Sequence, residues 1–166
     1  MSLLIVPDAA RYDAPLENVL TAAFGPGRFA KVSERVREFA VHDRALSRVA
    51  LRDNAVVGCC RIYRIAVGDV AMLFLGPLAV APDAQGERLG VDLVEASLAA
   101  CAQTSANGVI VVGQPRMFAP FGFGEIPKDR VVMPGPVEAR RLQWLAWREG
   151  ALQTLSGAVR APRAAS

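Results

Sequence analysis

The chain has 166 residues, 52% of them hydrophobic and 21% charged, with 19 Lys and Arg against 16 Asp and Glu. That length suits one domain with a real core, and the composition excludes a disordered or fibrous chain. The excess of three positive charges is too small to mark a nucleic-acid partner, because Arg35, Arg37, Arg44, Arg48, Arg52, Arg61 and Arg64 are scattered as solvent-facing positions would be. Nucleic-acid and membrane partners are therefore not expected.

In chain order, LLIV at residues 3–6 reads as a first strand. Asp13-Ala14-Pro15 opens a helix, with Asp13 as its N-cap, and LENVLTAAF carries it to Gly25-Pro26. Val32, Val36 and Phe39 recur at helical spacing and predict a second helix over residues 32–40. SRVALR and VVGCCRIYRI, separated by Asp53-Asn54, read as a hairpin. The only histidine, His42 in VHDR, has no ligand partner at metal spacing, so it is expected in a loop or on the surface, without zinc.

Val70 to Val80 is apolar on both faces and so belongs in the middle of a sheet, with a bulge or splay at Gly76-Pro77. A helix follows from about Glu87 to Gln103, with Leu89, Leu93, Val94, Leu98 and Cys101 in one stripe, then the buried strand VIVVG. Strand, helix and strand in this order predict a parallel crossover. The segment from 134 onward is less legible, although LQWLAW must bury something, and residues 161–166 are expected to be a loose tail. Cys59, Cys60 and Cys101 are odd in number and sit in apolar company, as buried thiols of a reducing compartment. With no secretory signal and no apolar run long enough to span a bilayer, the chain is expected to be one cytoplasmic domain.

The turn PDAQGERLG precedes a helix, where unpaired N–H groups and the helix dipole favour anions. Alone it is a weak signal. Read with VVGQPRMFAPFGF, with Pro134-Gly135-Pro136-Val137 and with Gly150-Ala151-Leu152, the order and spacing resemble the GNAT superfamily of acetyl-CoA-dependent N-acetyltransferases. The likeness is greatest to the subgroup of predicted small N-acetyltransferases and runs nearly end to end.

The resemblance implies an α/β fold. A mixed, mostly antiparallel sheet carries helices on both faces, and its central parallel pair splays to admit pantetheine. It also implies acetyl-CoA as co-substrate, with Leu78, Ala79 and Val80 pairing the pantetheine amides and the N–H groups of Gln85, Gly86, Glu87, Arg88, Leu89 and Gly90 holding the pyrophosphate. The acceptor would be the amine of a small molecule or peptide. A homodimer is left open.

Three positions depart from that family. Arg88 stands where the first glycine of the phosphate loop is usual, and Glu87 where a basic residue is common. Either Arg88 swings outward to pair a phosphate, or the two side chains exclude it; helix backbone angles would suit arginine in both cases. Phe118 occupies the place of a tyrosine that protonates the departing thiolate, and is read as wall-filling. Gln114 replaces a frequent aspartate, with no role assigned. The general base is not assigned either: Glu17, Glu34 and Glu38 are candidates that could equally be surface residues, and Tyr63 reads as a half-buried sheet aromatic. The alternative is a degenerate member that binds CoA, another ligand or a partner subunit without turnover.

Overall fold

A computed structural model describes residues 2–86 and 88–163, with the backbone alone for Phe29 and Ala30. The first strand, β1 (Leu3–Pro7), is followed by α1 (Asp13–Phe24) and a short α2 (Val32–Arg37). Leu16, Val19 and Leu20 give α1 its buried stripe. Gly25, at φ +72°, ends it by returning its N–H to the Thr21 carbonyl at 2.8 Å. Two expectations are corrected here. Tyr12, not Asp13, occupies the N-cap position of α1, and the carboxylate of Asp13 is drawn instead to Arg44. The second helix is also six residues long rather than nine, because Ala40 leads directly into the strand β2 (Val41–His42).

The hairpin of β3 (Arg48–Arg52) and β4 (Ala55–Val67) turns at Asp53 and Asn54, both at positive φ as a tight two-residue turn requires. One edge of β4 is covered in succession by β3, β2 and a late strand, β10 (Gly157–Arg160). Its other edge runs along β5 (Val70–Val80). The crossover helix α3 (Leu89–Cys101) then leads to β6 (Gly108–Val112), parallel to β5. A short helix α4 (Pro115–Phe118), β7 (Gly124–Glu125), β8 (Val131–Val132) and β9 (Leu142–Ala146) complete the chain. The main path of the sheet is β1-β3-β4-β5-β6-β9-β7, antiparallel everywhere except β5 with β6.

Strand alternation divides the core. Leu73, Leu75, Val109 and Val111 face α3 and its stripe of Leu89, Leu93, Val94, Leu98 and Cys101. Met72, Phe74 and Ile110 face the opposite side, where α2 supplies Val36. Both faces of β5 and β6 are thus covered, which is why these strands read as unbroken apolar runs.

The LQWLAW segment, whose partner the sequence did not reveal, is β9, paired with β6 from Gly108↔Ala146 to Val112↔Leu142. The three cysteines are buried and free; burial pushes the Cys59 and Cys101 thiols up to about 12 and the Cys60 thiol higher still. Of the expected loose tail, Arg163 meets Asp69 at 2.6 Å, and residues 164–166 lie outside the described ones. No helix among the described residues is long and apolar enough to cross a membrane.

The candidate active site

β5 and β6 pair only over Leu73–Leu75 and Val109–Val111. Beyond that point Gly76 and Pro77 face Arg61 alone, because the β4–β5 register jumps from Ile62↔Leu75 to Cys60↔Leu78. β5 stays with β4 through Val80, whereas the chain after β6 turns away at Gly113 into α4. The gap between them is a cleft of about 1100 Å³, walled by Gly76 and Leu78 on one side and by Val112, Gly113 and Phe118 on the other.

The register decides which backbone groups face this gap. Val80 lies opposite Gly58 and the Ala81 N–H donates to the Val57 carbonyl at 2.7 Å. In an antiparallel ladder this turns the N–H and C=O of Ala79 toward Cys59, and those of Leu78 and Val80 away from β4, into the cleft. Only two of the three strand residues named from sequence therefore offer their backbone there. The Gln85 side-chain amide already donates to the Val80 carbonyl at 3.0 Å.

Next to the cleft, and sharing Leu78, Gln85 and Met117 with it, a hollow of about 340 Å³ lies over the loop. It is lined by Val80, Gly86, Arg88, Leu89 and Gly90, so the loop residues named from sequence and described here converge on one place. Glu87 lies outside the described residues. The hollow ends at the first turn of α3, whose opening N–H groups precede the first intrahelical bond, from Asp92 N–H to Arg88 O at 3.0 Å.

Arg88 itself is not helical, contrary to the sequence reading. It caps α3 at φ +59° and ψ +9°, the left-handed region in which a side chain costs about 1–2 kcal/mol. The glycine it replaces would have no such cost, which explains why that residue type is usual here. Its guanidinium lies along the outside of α3, with Nη2 3.6 Å from Glu95 and Nε 3.9 Å from Asp92, and the side chain is 70% exposed.

Phe118 is buried. Its ring packs edge-on to Phe123 at 5.5 Å and presses on Gly113, where an added Cβ would lie only 2.3 Å from the ring. It fills the cleft wall, as read from sequence, and has no proton to give. Gln114 precedes α4 and its carbonyl accepts the Met117 and Phe118 N–H groups.

The far end of the cleft is built from side chains of α2, of the segment before it, and of residues 136–141. Arg28 is 4% exposed and pairs with both Glu17 and Glu34; Arg37 also reaches Glu34, at 2.9 Å. Of the three glutamates considered as bases, Glu34 alone lines the cleft, and its Oε1 is already shared by two guanidiniums. Tyr63 is 4% exposed, stacked on His42 at 5.0 Å, and burial pushes its phenol up. It packs on the α2 side of the sheet, with Val36 and Phe74, and is not among the residues lining the cleft.

His42 and Arg61 also differ from expectation. Arg61 is 4% exposed rather than solvated, and His42 Nε2 sits 3.2 Å from the buried carboxylate of Asp8 and 3.1 Å from Ser47 Oγ. Lys31, Glu138 and Arg141, which also line the cleft, were not singled out from sequence. The available signal was position: Glu138 follows directly on Pro134–Val137 with Arg141 three residues further on, and Lys31 is one of two lysines in the chain.

Residues 14–122, well over half of the chain, match the model of the acetyltransferase (GNAT) family. The chain belongs to that family. The GNAT fold is shared with the Escherichia coli N-acetyltransferase YhbS solved with CoA (22% identity, TM-score 0.78, covering 97% of this chain and 89% of that one). A Brucella melitensis GNAT acetyltransferase with acetyl-CoA is similar over 96% of this chain and 95% of its own, at 22% identity and TM-score 0.70. Arabidopsis thaliana Naa50 with the bisubstrate analogue CoA-Ac-MVNAL is more distant, at 13% identity and TM-score 0.57, over 87% and 96%. No curated protein matches the sequence. The parted parallel pair β5–β6 is thus placed, in this GNAT chain, on a fold whose solved examples include CoA-bound forms.

Proposed function

We propose that this GNAT domain moves an acetyl group from acetyl-CoA to an amine, and that it works in the cytoplasm, where its three buried thiols stay reduced. The observation that carries the reading is the parting of β5 from β6, which leaves the Leu78 and Val80 backbone facing a cleft continuous with the α3 N-terminus.

The residues present fit the co-substrate. Leu78 and Val80 would take the pantetheine amides as an added strand, once the Gln85 amide releases the Val80 carbonyl. The unpaired N–H groups opening α3, with Gly86 at φ +92° bringing backbone close, would hold the pyrophosphate. Bound there, acetyl-CoA supplies an already activated acyl group. The chain then aligns an amine with it in the cleft and excludes water, a contribution of proximity rather than of covalent chemistry. Phe118 contributes a dry wall and no acid, so the departing sulfur takes its proton from solvent or from the amine nitrogen once it has bonded to the acetyl carbon.

Calorimetric titration of acetyl-CoA into the wild type and Arg88→Gly is the direct test. Micromolar binding by both supports the reading, and weaker binding by the variant adds Arg88 as a phosphate ligand. Absence of binding by the wild type overturns it. The buried phenylalanine at 118 favours a second reading, a domain that binds without turnover. Phe118→Tyr separates the two: restored acid catalysis raises kcat, within the ~10²–10⁴ such groups contribute, at unchanged acetyl-CoA affinity.

A further inference from the structure

Building on the proposed acyl transfer, we infer that the acceptor is an amine that carries a carboxylate, an amino acid in character, held by Arg141 and Lys31. The charges lining the cleft decide this. Its two carboxylates are already neutralised within the chain: Glu34 by Arg28 and Arg37, and Glu138 by Arg140 at 3.0 Å. Its two remaining cations are not. Among the described residues, neither Lys31 nor Arg141 has a carboxylate within 4.0 Å. The cleft therefore offers surplus positive charge to its occupant, and no uncommitted negative charge.

Arg141 is the stronger of the two. Its carbonyl accepts the Gly113 N–H at 3.0 Å, which pins it where β6 turns away and the cleft opens. Its Nε is buried without a hydrogen-bond partner, as are Arg61 Nε and Trp147 Nε1, so its free donors are the terminal nitrogens of a guanidinium that lines the cleft. A carboxylate approaching end-on takes the two terminal nitrogens together, a bidentate geometry well suited to guanidinium. Lys31 comes from the segment between α1 and α2, its ammonium 4.5 Å above the Phe24 ring, which also lines the cleft. Two cations from distant parts of the chain thus serve one cleft. A polyamine or an aminoglycoside would meet repulsion there, with no free carboxylate to receive it.

In the reaction the amine nitrogen gains a bond to the acetyl carbon as the carbon–sulfur bond breaks. The nitrogen loses a proton, CoA leaves as its thiol, and the carboxylate is unchanged.

The test is a set of matched acceptors, the common amino acids against the same compounds decarboxylated or amidated, read by release of CoA thiol. Wild type is expected to prefer at least one amino acid over its decarboxylated partner by about tenfold to a hundredfold in kcat/KM, as charged hydrogen bonds imply. Arg141→Gln should erase that preference through KM, Arg141→Lys should restore part of it, and Lys31→Gln should weaken it independently. Acetyl-CoA titrated calorimetrically into the same proteins should bind all of them with one affinity. If acetyl-CoA binds but the decarboxylated amines react as well, or no amino acid reacts, the acceptor assignment is overturned while acyl transfer stands. If wild type does not bind acetyl-CoA, it is the underlying reading that falls.

Discussion

The two walls of the cleft are made of different material. The wall formed by β5 and the loop into α3 presents backbone: two strand residues turned away from β4, Leu78 and Val80, and the unpaired N–H groups of a helix start. The wall formed by α2, Lys31 and residues 136–141 presents charged side chains from two separated segments. A backbone wall recognises what every relative shares, since it depends on strand register and helix ends. A side-chain wall can change residue by residue, and is where one relative comes to differ from another. The same contrast runs along β5. Its first half is locked between β4 and β6, and its second half is held by β4 alone.

The largest expected effect tests that contrast along β5. Phe74→Ala removes a fully buried ring from the locked half and is expected to cost about 3–5 kcal/mol in denaturant unfolding. Leu78→Ala, half-buried at the open half, should cost about 1 kcal/mol. Equal costs would mean that the second half of β5 is as tightly held as the first.

Saturation with acetyl-CoA is the next effect in size. At a hundred times its dissociation constant it should stabilise the fold by about 2.7 kcal/mol. Amide exchange should locate that gain: the Leu78 and Val80 N–H groups slow on binding, while the Ala79 N–H, already turned to Cys59, does not change. Protection of Ala79 in place of its neighbours would show that the register argument assigns the wrong pair.

What was legible in the sequence follows the same division. The backbone wall could be read because its requirements are local: an interrupted apolar strand at Gly76-Pro77, a turn, a helix stripe beginning at Leu89. The pairing of LQWLAW with VIVVG and the buried place of Arg61 could not, because both depend on contacts between residues far apart in the chain. The charged wall is the extreme case. Lys31 and Arg141 stand more than a hundred residues apart, and no spacing rule joins them. Arg88 differs for a local reason: the helix begins at Leu89, where its stripe begins, and not at the expected Glu87, so the arginine falls on the left-handed cap.

That residue gives a third, smaller effect. Arg88→Gly relieves the left-handed strain of about 1–2 kcal/mol and adds the chain entropy of a glycine, so a net gain of about 0.5–1 kcal/mol is expected. Loss of its exposed contacts to Asp92 and Glu95 adds little. A thermal midpoint that falls in the variant would show those contacts to outweigh the backbone cost.

The smallest effect at neutral pH concerns the polar network behind the charged wall. Asp13 is held below the usual carboxylate range by its hydrogen bonds to Arg44, with the Arg61 charge adding to them. Burial alone would raise Asp8, but His42 and Arg61 together outweigh it and leave that carboxyl lowered as well. Both folded-state values thus lie below the unfolded value of 3.8, so the stability they contribute is complete above that pH. It is lost as pH falls from there through the folded values. Because Asp13 opens α1 and Arg61 sits on β4, the amides of α1 should lose exchange protection in this range before those paired between β4 and β5. Arg44→Met removes the main partner of Asp13 and should make the acid slope of stability shallower, while leaving the Asp8 part in place. An unchanged slope would assign acid sensitivity to carboxylates elsewhere, and would leave the backbone and charged walls equally indifferent to this network.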